Sequence, residues 1–597
     1  MEISQKTCQD HNNPSPGVAS GLMNAVKHLL LAMGMMHGMS AWSQAALLSD
    51  TLEQVDVVSQ YRSIQSQITE AYQEPADIAL WSGEDLRSLG PAASMTVSRD
   101  GLPSAYFQVE LPSGPVIASD LGVVDLNTLP IAGMNWATTR HDHASRHLRV
   151  QAPASSELHF GVTSIGSRDG WMMLRFNAED FVQLGVKHWD MNFPYRDYLG
   201  RDLQRIGNDG SQYTMGTQVV RQYDHIKWRQ VLQWTDVDRG IPASSNAAYT
   251  LGARQQDERV QWLSEQSWNT DKSKWSIEQT VWRSDQDYQY DLYEMLDTNG
   301  ILGGQMKVQM KGSNATSAQG SVWGRHERVS GMNKLEASQW LLGASIAKGW
   351  DWKQHQVNAS MQWLQRDFDG LGYLIPKVDW QLNLKSAQMK SSIERLMRYP
   401  TMNDRFWTPG GQADLLPELG WQGQSEWAWH QRQIKMQIRG FAGYFSQGIM
   451  WLPGPGNIWR PENVYELSRL GSELVWSGSN WTAAYRWIRS VNSSGQHSPY
   501  VTPHILRMSG KVPLTHGELK VQGVYHAATP TSWSSAPILL DPFTRWDAHY
   551  KVELASFKIQ LSVINALNSP YAFQLGYPMP GRHYQFTINY LISHASD

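Results

Sequence analysis

From about residue 155 onward the chain is written in short segments whose apolar residues fall on alternate positions. The last is the clearest. In HYQFTINYLI, Tyr584, Phe586, Ile588, Tyr590 and Ile592 share one face, while His583, Gln585, Thr587 and Asn589 share the other. KIQLSVIN sets Ile559, Leu561 and Val563 against Lys558, Gln560 and Ser562, and RQIKMQIRGF sets Ile434, Met436 and Ile438 against Lys435, Gln437 and Arg439. SNWTAAYRWIR places Trp481, Ala483, Tyr485 and Trp487 together. This period predicts β-strands, each running roughly 9–11 residues, the length a tilted strand needs to cross a bilayer. The region from about 46 to 150 differs. It predicts a helix around Ile78-Ala79-Leu80-Trp81 to Leu86 and carries short apolar runs such as AYFQVEL, which together indicate a small mixed α/β domain ahead of the strands.

A soluble sandwich also alternates, so composition has to separate the two cases. Charged residues are only 18%, while Trp reaches 28 and Tyr 23, an excess expected where rings sit in hydrocarbon with their polar edges in water. Mean hydropathy is −0.45, and after residue 50 no eighteen apolar residues run together, which excludes helical spans but not a barrel. The second face of the strands carries Lys, Arg and Gln rather than packed aliphatics. The expected fold is therefore an all-β membrane protein, a large antiparallel transmembrane β-barrel. About 440 residues over 22 strands leaves ~20 per strand and connection, and a 16-stranded porin with longer loops satisfies the same arithmetic. A net charge of −4 gives no polybasic footprint, so nucleic acid is not an expected partner. No Ser/His/Asp, paired-carboxylate or phosphate-cradle arrangement emerges, and the chain is not read as an enzyme.

Residues Met23 to Ala46 supply a lysine, an apolar stretch from Leu29 to Met36, and Ser43-Gln44-Ala45, which predicts a secretory signal over residues 1–45 with cleavage after Ala45. The first 22 residues are polar and unlike a normal n-region, so Met23 is an alternative start. Cys8, the chain's one cysteine, then falls outside the protein.

Five stretches carry a family likeness: NFPYRDYLGRDLQRIGND (192–209), DRGIP (238–242), RYPTMNDRFWTPGGQADLLPE (398–418), IMWLPGPGNIWRPENVYELSRLGSEL (449–474) and VINALNSPYAFQLGYPMPGRHYQFTINY (563–590). In order and spacing they resemble the TonB-dependent outer-membrane receptors, within them the cobalamin-receptor-like branch. SGPVIASDLGVVDLNTLPIAGMNW is similar to a segment of the family's plug, matching at Asp125, Leu126, Asn127, Leu129 and Pro130. The resemblance implies a TonB-box-like extended segment over 46–60, a short plug over 61–150 and a barrel of 22 strands over 151–597. In the first of these, DTLEQVDVV would meet TonB by strand addition through Leu52, Glu53, Gln54, Val55, Asp56, Val57 and Val58. An ordinary first strand of the plug is the other reading of that stretch. The implied setting is the outer membrane of a Gram-negative bacterium. The implied partners are TonB with its inner-membrane energising complex, a cobalamin-like or siderophore-like chelate, outer-membrane lipid and the barrel-insertion machinery. A passive or vestigial barrel with a non-gating plug is the competing class.

The plug departs from the family pattern. PSAYFQVEL and TTRHDHASRHLRVQ stand where an Arg-Gly turn and a glycine-rich run are usual, and the chain ends LISHASD rather than on an aromatic. His141, His143 and His147 are candidate metal ligands, with a solvated loop as the alternative. No cofactor is required. The resemblance places Asp190, Asp197, Asp202 and Asp209 in an extracellular loop region where family aspartates bind calcium, an ion suited to carboxylates at variable spacing. DQDYQYDLYEMLD (285–297) is read as a loop flank. In RFWTPGGQADLLPE, Pro409-Gly410-Gly411 should break a strand, Pro417-Glu418 restart one, and Trp407 take an interfacial position.

Overall fold

A computed structural model describes residues 85–592, less 112–113, 117–122, 130–134, 143–144, 152–154, 197–200, 245–251, 291–294, 314–317 and 455–457 and positions 243, 333, 369, 371 and 432. The signal, the segment with Leu52 to Val58, His143 and Asp197 lie outside the described residues.

The alternating segments become strands, and the strands close. Twenty-two of them form one barrel, each antiparallel to its neighbours, and the ring shuts where His583–Ile592 pairs with Ser156–Thr163. This chooses 22 strands over 16. Side chains alternate as the sequence predicted. Leu158, Phe160, Leu561 and Tyr584 are exposed on the outer face, whereas Gln522, Asp547, Gln560, Ser562 and Thr587 are buried on the inner one. An outward apolar band with a polar interior is the arrangement a strand barrel needs in lipid.

The two ends of the barrel differ. At one end the connections are tight, as from Tyr223 to Ile226, Trp352 to His355, Leu514 to Gly517 and Leu554 to Phe557. Asp224, Lys353 and Ala555 take positive φ in three of these turns. Aromatic side chains gather beside them: Trp268 stacks on Trp275, Trp427 on Trp429, and His355 on both Trp352 and Trp380. Such a girdle marks a membrane-water boundary. At the other end the connections are long, running from Asp190 to Asp209, Arg398 to Glu418, His526 to Phe543 and Ile564 to His583.

Several strands exceed the expected length, with 20 residues in Ile434–Pro453 and 19 in Lys334–Trp352. The surplus stands beyond the hydrocarbon at the long-loop end. Asp236, Glu258 and Asp285 are direct cross-strand neighbours there, on the opposite face from buried Val237. Three adjacent carboxylates on the outer face belong in water.

The helix expected around Ile78 to Leu86 does not hold at its end. Leu86 lies in the strand Asp85–Ser88, antiparallel to Met95–Ser98, because Leu86, Met95 and Val97 join one core cluster through this hairpin; residues 78–84 lie outside the described residues. The other described strands ahead of the barrel form a four-stranded sheet in which Phe107–Leu111 runs parallel to Ser145–Gln151, flanked by Gly114–Pro115 and Asn135–Asp142.

Candidate binding site at the barrel mouth

Inward-pointing side chains of the barrel hold the plug in the lumen. Asp85 accepts from Arg486 Nη1 and Nη2 at 3.0 and 2.6 Å and from the Thr502 amide at 3.0 Å. Asp100 accepts from Arg439 Nη1 and Nη2 at 2.7 and 2.8 Å, while its backbone carbonyl accepts from Arg469 at 2.7 Å. Glu473 lies between Arg439 at 3.1 Å, Arg507 at 2.5 Å and the plug's own Arg99 at 3.5 Å. Asp125 caps the 3₁₀ turn Leu126–Thr128 through the Asn127 amide, accepts from the Met95 amide, and gives its second oxygen to Arg239 Nη2 at 2.7 Å. Gln212 Nε2 donates to the Leu129 carbonyl. Two stretches that the sequence offered separately, DLNTLP and DRGIP, therefore meet through Asp125 and Arg239. Buried charges taken from water must be fully partnered to be tolerated, and the bidentate forks at Asp85 and Asp100 supply that pairing.

An apolar cluster joins the same surfaces. Leu86, Met95, Val97, Val109, Leu126 and Leu129 of the plug pack with Ile505, Val524 and Phe543 at the long-loop ends of three strands, and with Tyr571, Phe573 and Met579 of the 565–582 loop. The rings of Phe543 and Tyr571 are 5.1 Å apart, and His526 stacks on Phe543 at 4.8 Å. A cavity opens beside them, lined by Leu86, Tyr500, His526, Asp541, Phe543 and Phe573. His526 Nε2 is buried with no hydrogen-bond partner among the described residues.

Two guanidiniums reach the same place. Arg87, the exposed residue of the plug strand, lies 4.5 Å from the centre of the Tyr500 ring. Arg205, from the loop between Asp190 and Asp209, lies 5.2 Å from the Tyr577 ring and donates from Nη2 to the Leu89 carbonyl at 2.9 Å, two residues beyond Arg87. Burial raises the Tyr577 phenol above its ordinary range, with Arg205 opposing and Tyr500 adding. Burial also lowers Arg205, while Tyr195 and Tyr577 raise it.

The RFWTPGGQADLLPE stretch covers the opposite wall. Its strand breaks and restarts as expected, with Glu418 the first residue of the next strand. The connection turns inward before the next strand begins. A capped turn over Met402–Phe406, closed by Thr401 and Asp404, tips into the mouth and buries Met402 against Trp282, Ile301 and Val329. Arg405 donates to Gln339 and Asp367 at 3.0 Å, Trp451 Nε1 donates to Asp404 at 2.9 Å, and Arg398 grips Glu418 with two bonds of 2.7 Å. Met402 and Asp404 account for the direction, since both find their partners in the mouth.

The predicted aspartates are partly brought together. Asp190 and Asp209 are cross-strand partners, and Asp202 lies exposed on the hairpin Pro194–Arg196/Asp202–Gln204 between them. Asp209 gives one oxygen to Arg254 at 2.7 Å, and Asp190 accepts from Asn192. Among the described residues no three His, Cys, Asp or Glu side chains assemble as a metal site. His141 and His147 fall on the paired strands Asn135–Asp142 and Ser145–Gln151, each one place out of register with the other. Arg87, Arg205, Arg239 and Arg486 escaped the sequence reading, although the last three lie within quoted stretches; Arg87 has no motif around it.

No family model and no curated protein matches the chain. Solved structures do. The iron transporter FrpB of Neisseria meningitidis, F3-3 variant, is similar over 88% of this chain and 98% of its own, at 11% identity and a TM-score of 0.72. The copper transporter OprC is similar over 85% and 94%, at 12% identity and 0.71. A mutant of the ferric enterobactin receptor PfeA from Pseudomonas aeruginosa is similar over 88% and 97%, at 10% identity and 0.70. At identities this low the agreement lies in the backbone, and what it establishes is that this chain has the fold of these iron, copper and ferric enterobactin transporters and receptors.

Proposed function

We propose that the protein is an outer-membrane receptor of the TonB-dependent family that imports a scarce, large metal chelate with energy supplied through TonB. The observation that carries this reading is the plug anchored in the lumen. An open barrel of 22 strands would be a wide aqueous hole, and here Asp85, Asp100 and Asp125 tie the plug to opposite parts of its wall. Moving it exposes buried charges to loss of their partners at a cost of about 3–5 kcal/mol for each broken pair. A solute binding at the mouth does not by itself supply that work, so an external pull is needed. The stretch Asp50 to Val58 is strand-competent and suits capture by edge pairing. Bacterial barrels of this kind carry short periplasmic turns and long extracellular loops, which puts the plug hairpin and its arginines on the solute's side.

The sequence resemblance favours a cobalamin-like chelate, while the solved relatives are named for iron, copper and ferric enterobactin. Calcium on Asp190, Asp202 and Asp209 would order the loop above Arg205; solute binding unchanged by a calcium chelator removes that part of the reading. Deleting Asp50 to Val58 should abolish energised uptake and leave surface binding intact. Unchanged uptake by the deletion strain overturns the transporter and leaves the passive barrel.

A further inference from the structure

The outer wall of the barrel holds two amides where lipid should meet only carbon. By register, the outward residues of Ile226–Gly240, Arg254–Asn269, Ser273–Tyr290 and Met295–Gly312 form rows across the strands. The stacked Trp268 and Trp275 mark one limit of the hydrocarbon, and the carboxylates of Asp236, Glu258 and Asp285 mark the other. From Trp268 to Glu258 a strand tilted by about 45° climbs roughly 23 Å, close to the apolar band of ~25 Å on such barrels. Gln266 and Gln279 face outward between these limits, in the first and second outward rows past the tryptophans, and both are exposed. Their surroundings are apolar. Ile277 and Val281 flank Gln279 along its strand, and Met306 is its cross-strand neighbour.

Other polar groups of this wall satisfy one another. Trp228 Nε1 and Gln230 Nε2 both donate to Ser264 Oγ, at 3.0 and 2.7 Å, and Trp262 Nε1 donates to Gln230 Oε1 at 2.9 Å. Trp234 Nε1 donates to Glu258 at 2.9 Å, and Arg283 reaches out of the band to Asp285 at 2.6 Å. Among the described residues Gln266 and Gln279 make no hydrogen bond. Water is scarce at this depth and acyl chains offer neither donor nor acceptor, so each amide costs free energy until another protein surface supplies both. Elsewhere the exposed outward residues Val322, Ile346, Met361, Val378 and Ile393 show what contact with lipid selects.

We propose that this wall, centred on Gln279, is the contact face of a dimer of the chain within the membrane, paired about a twofold axis along the membrane normal. Such an axis preserves depth, so each residue meets residues of its own level. A primary amide carries donors and an acceptor, and Gln279 and its counterpart in the second copy close two N–H···O=C bonds. Val281, Leu302 and Met306, all exposed, pack around that pair and keep lipid from it. Gln266, one row nearer the boundary, lies at the edge of the face. The second copy brings a matching amide at the matching depth by symmetry, whereas an apolar barrel wall leaves Gln279 unmet. The five strands from Asp209–Tyr223 to Met295–Gly312 offer on the order of 600 Å² per copy, the lower end of what specific partners bury. The inference rests on the barrel's place in a membrane and is independent of the solute and of TonB.

The test is thiol cross-linking of the full-length protein in native outer-membrane vesicles, in a Cys8→Ser background so that an introduced thiol is the chain's only one. Val281→Cys and Met306→Cys, treated with a short bis-maleimide, should each give a product of twice the chain's mass. Met361→Cys, exposed on another part of the band, should not. Adding Gln279→Leu should lower the dimerisation constant about tenfold, the loss expected of one or two side-chain hydrogen bonds at a membrane interface. That constant is read from the cross-linked fraction of the purified full-length protein as it is diluted with lipid. Gln279→Asn should recover part of the loss, because a shorter amide still pairs. Each variant should keep the heat-modifiable mobility of a folded barrel, so that the change reports assembly rather than misfolding. Equal cross-linking at Met361→Cys, a product of any other mass, no product from either wall position, or a dimer indifferent to Gln279→Leu overturns the proposal.

Discussion

Asp100 shows how much one side chain can carry. It takes positive φ, is fully buried, and gives both oxygens to Arg439 from a turn completed by Gly101 at φ +71° against Ser490 and Ile488. Replacing it with alanine strips Arg439 of its fork and leaves it to share Glu473 with Arg507 and Arg99, one buried carboxylate for three cations, at an expected cost of about 3–5 kcal/mol. Hydrogen exchange should read that loss in the plug hairpin amides, with the barrel amides little changed, because the plug can open without the barrel. Gly410 is a second such point: a Cβ there would run into the Trp459 carbonyl. Gly410→Ala should push the 399–417 loop out of the mouth, seen as new protease cleavage between Met402 and Asp414 in an otherwise intact barrel. Neither role could be read from the sequence. Asp100 sits in an unremarked SRDG, and its partner lies 339 residues away. The polar face of RQIKMQIRGF was legible, but nothing local says which of its cations would meet an acid.

At the scale of the element, alternation proved the most readable signal. The four segments taken as examples present the predicted faces, because one face meets lipid and the other meets water or plug, and that environment acts on every residue of a strand. It follows that adjacent residues should respond oppositely to charge. Leu561→Arg on the outer face of Phe557–Ile564 should cost about 2–4 kcal/mol near the bilayer midplane, measured by urea unfolding in lipid vesicles. Lys558, on the inner face of the same strand, is already cationic. Strand length was less legible, since periodicity continues past the membrane boundary and a sequence does not mark where hydrocarbon stops. The helix expected near Leu86 failed for a related reason. A short apolar run suits either structure, and the hairpin partner Met95–Ser98 decided between them.

For the whole molecule, the five stretches that carried the family likeness have a common location. Arg205, Arg239, Asp404, Trp451 and Tyr577 come one from each, and all lie at the long-loop end, where they hold the plug or one another. Their irregular composition reflects that work, since turns, caps and buried loop polar groups need Pro, Gly, Asn and Asp rather than alternation. What the mouth binds was not legible, because groups such as Arg87 and Tyr500 meet there from stretches far apart in the chain, neither with a motif around it. A plug anchored in the lumen also predicts electrical behaviour: the intact protein in a planar bilayer should show no steady conductance, whereas an Asp85→Ala/Asp100→Ala double variant should open to ions. A wild-type barrel that conducts as a steady pore would contradict the seated plug.

The closure of the ring between His583–Ile592 and Ser156–Thr163 sets an order of events during biogenesis. Across this joint His159 bonds Asn589, 430 residues distant, and stacks on Trp171. Until the ten residues of the closing strand arrive, the sheet keeps two raw edges and the plug has no enclosure. The N-terminal domain, although made first, must wait in an unroofed cradle and be trapped as the last strand zips home, like a ship built inside its bottle. A chain cut before His583 would leave both edges open to pairing with other chains and should be cleared by envelope proteases rather than accumulate as a smaller barrel.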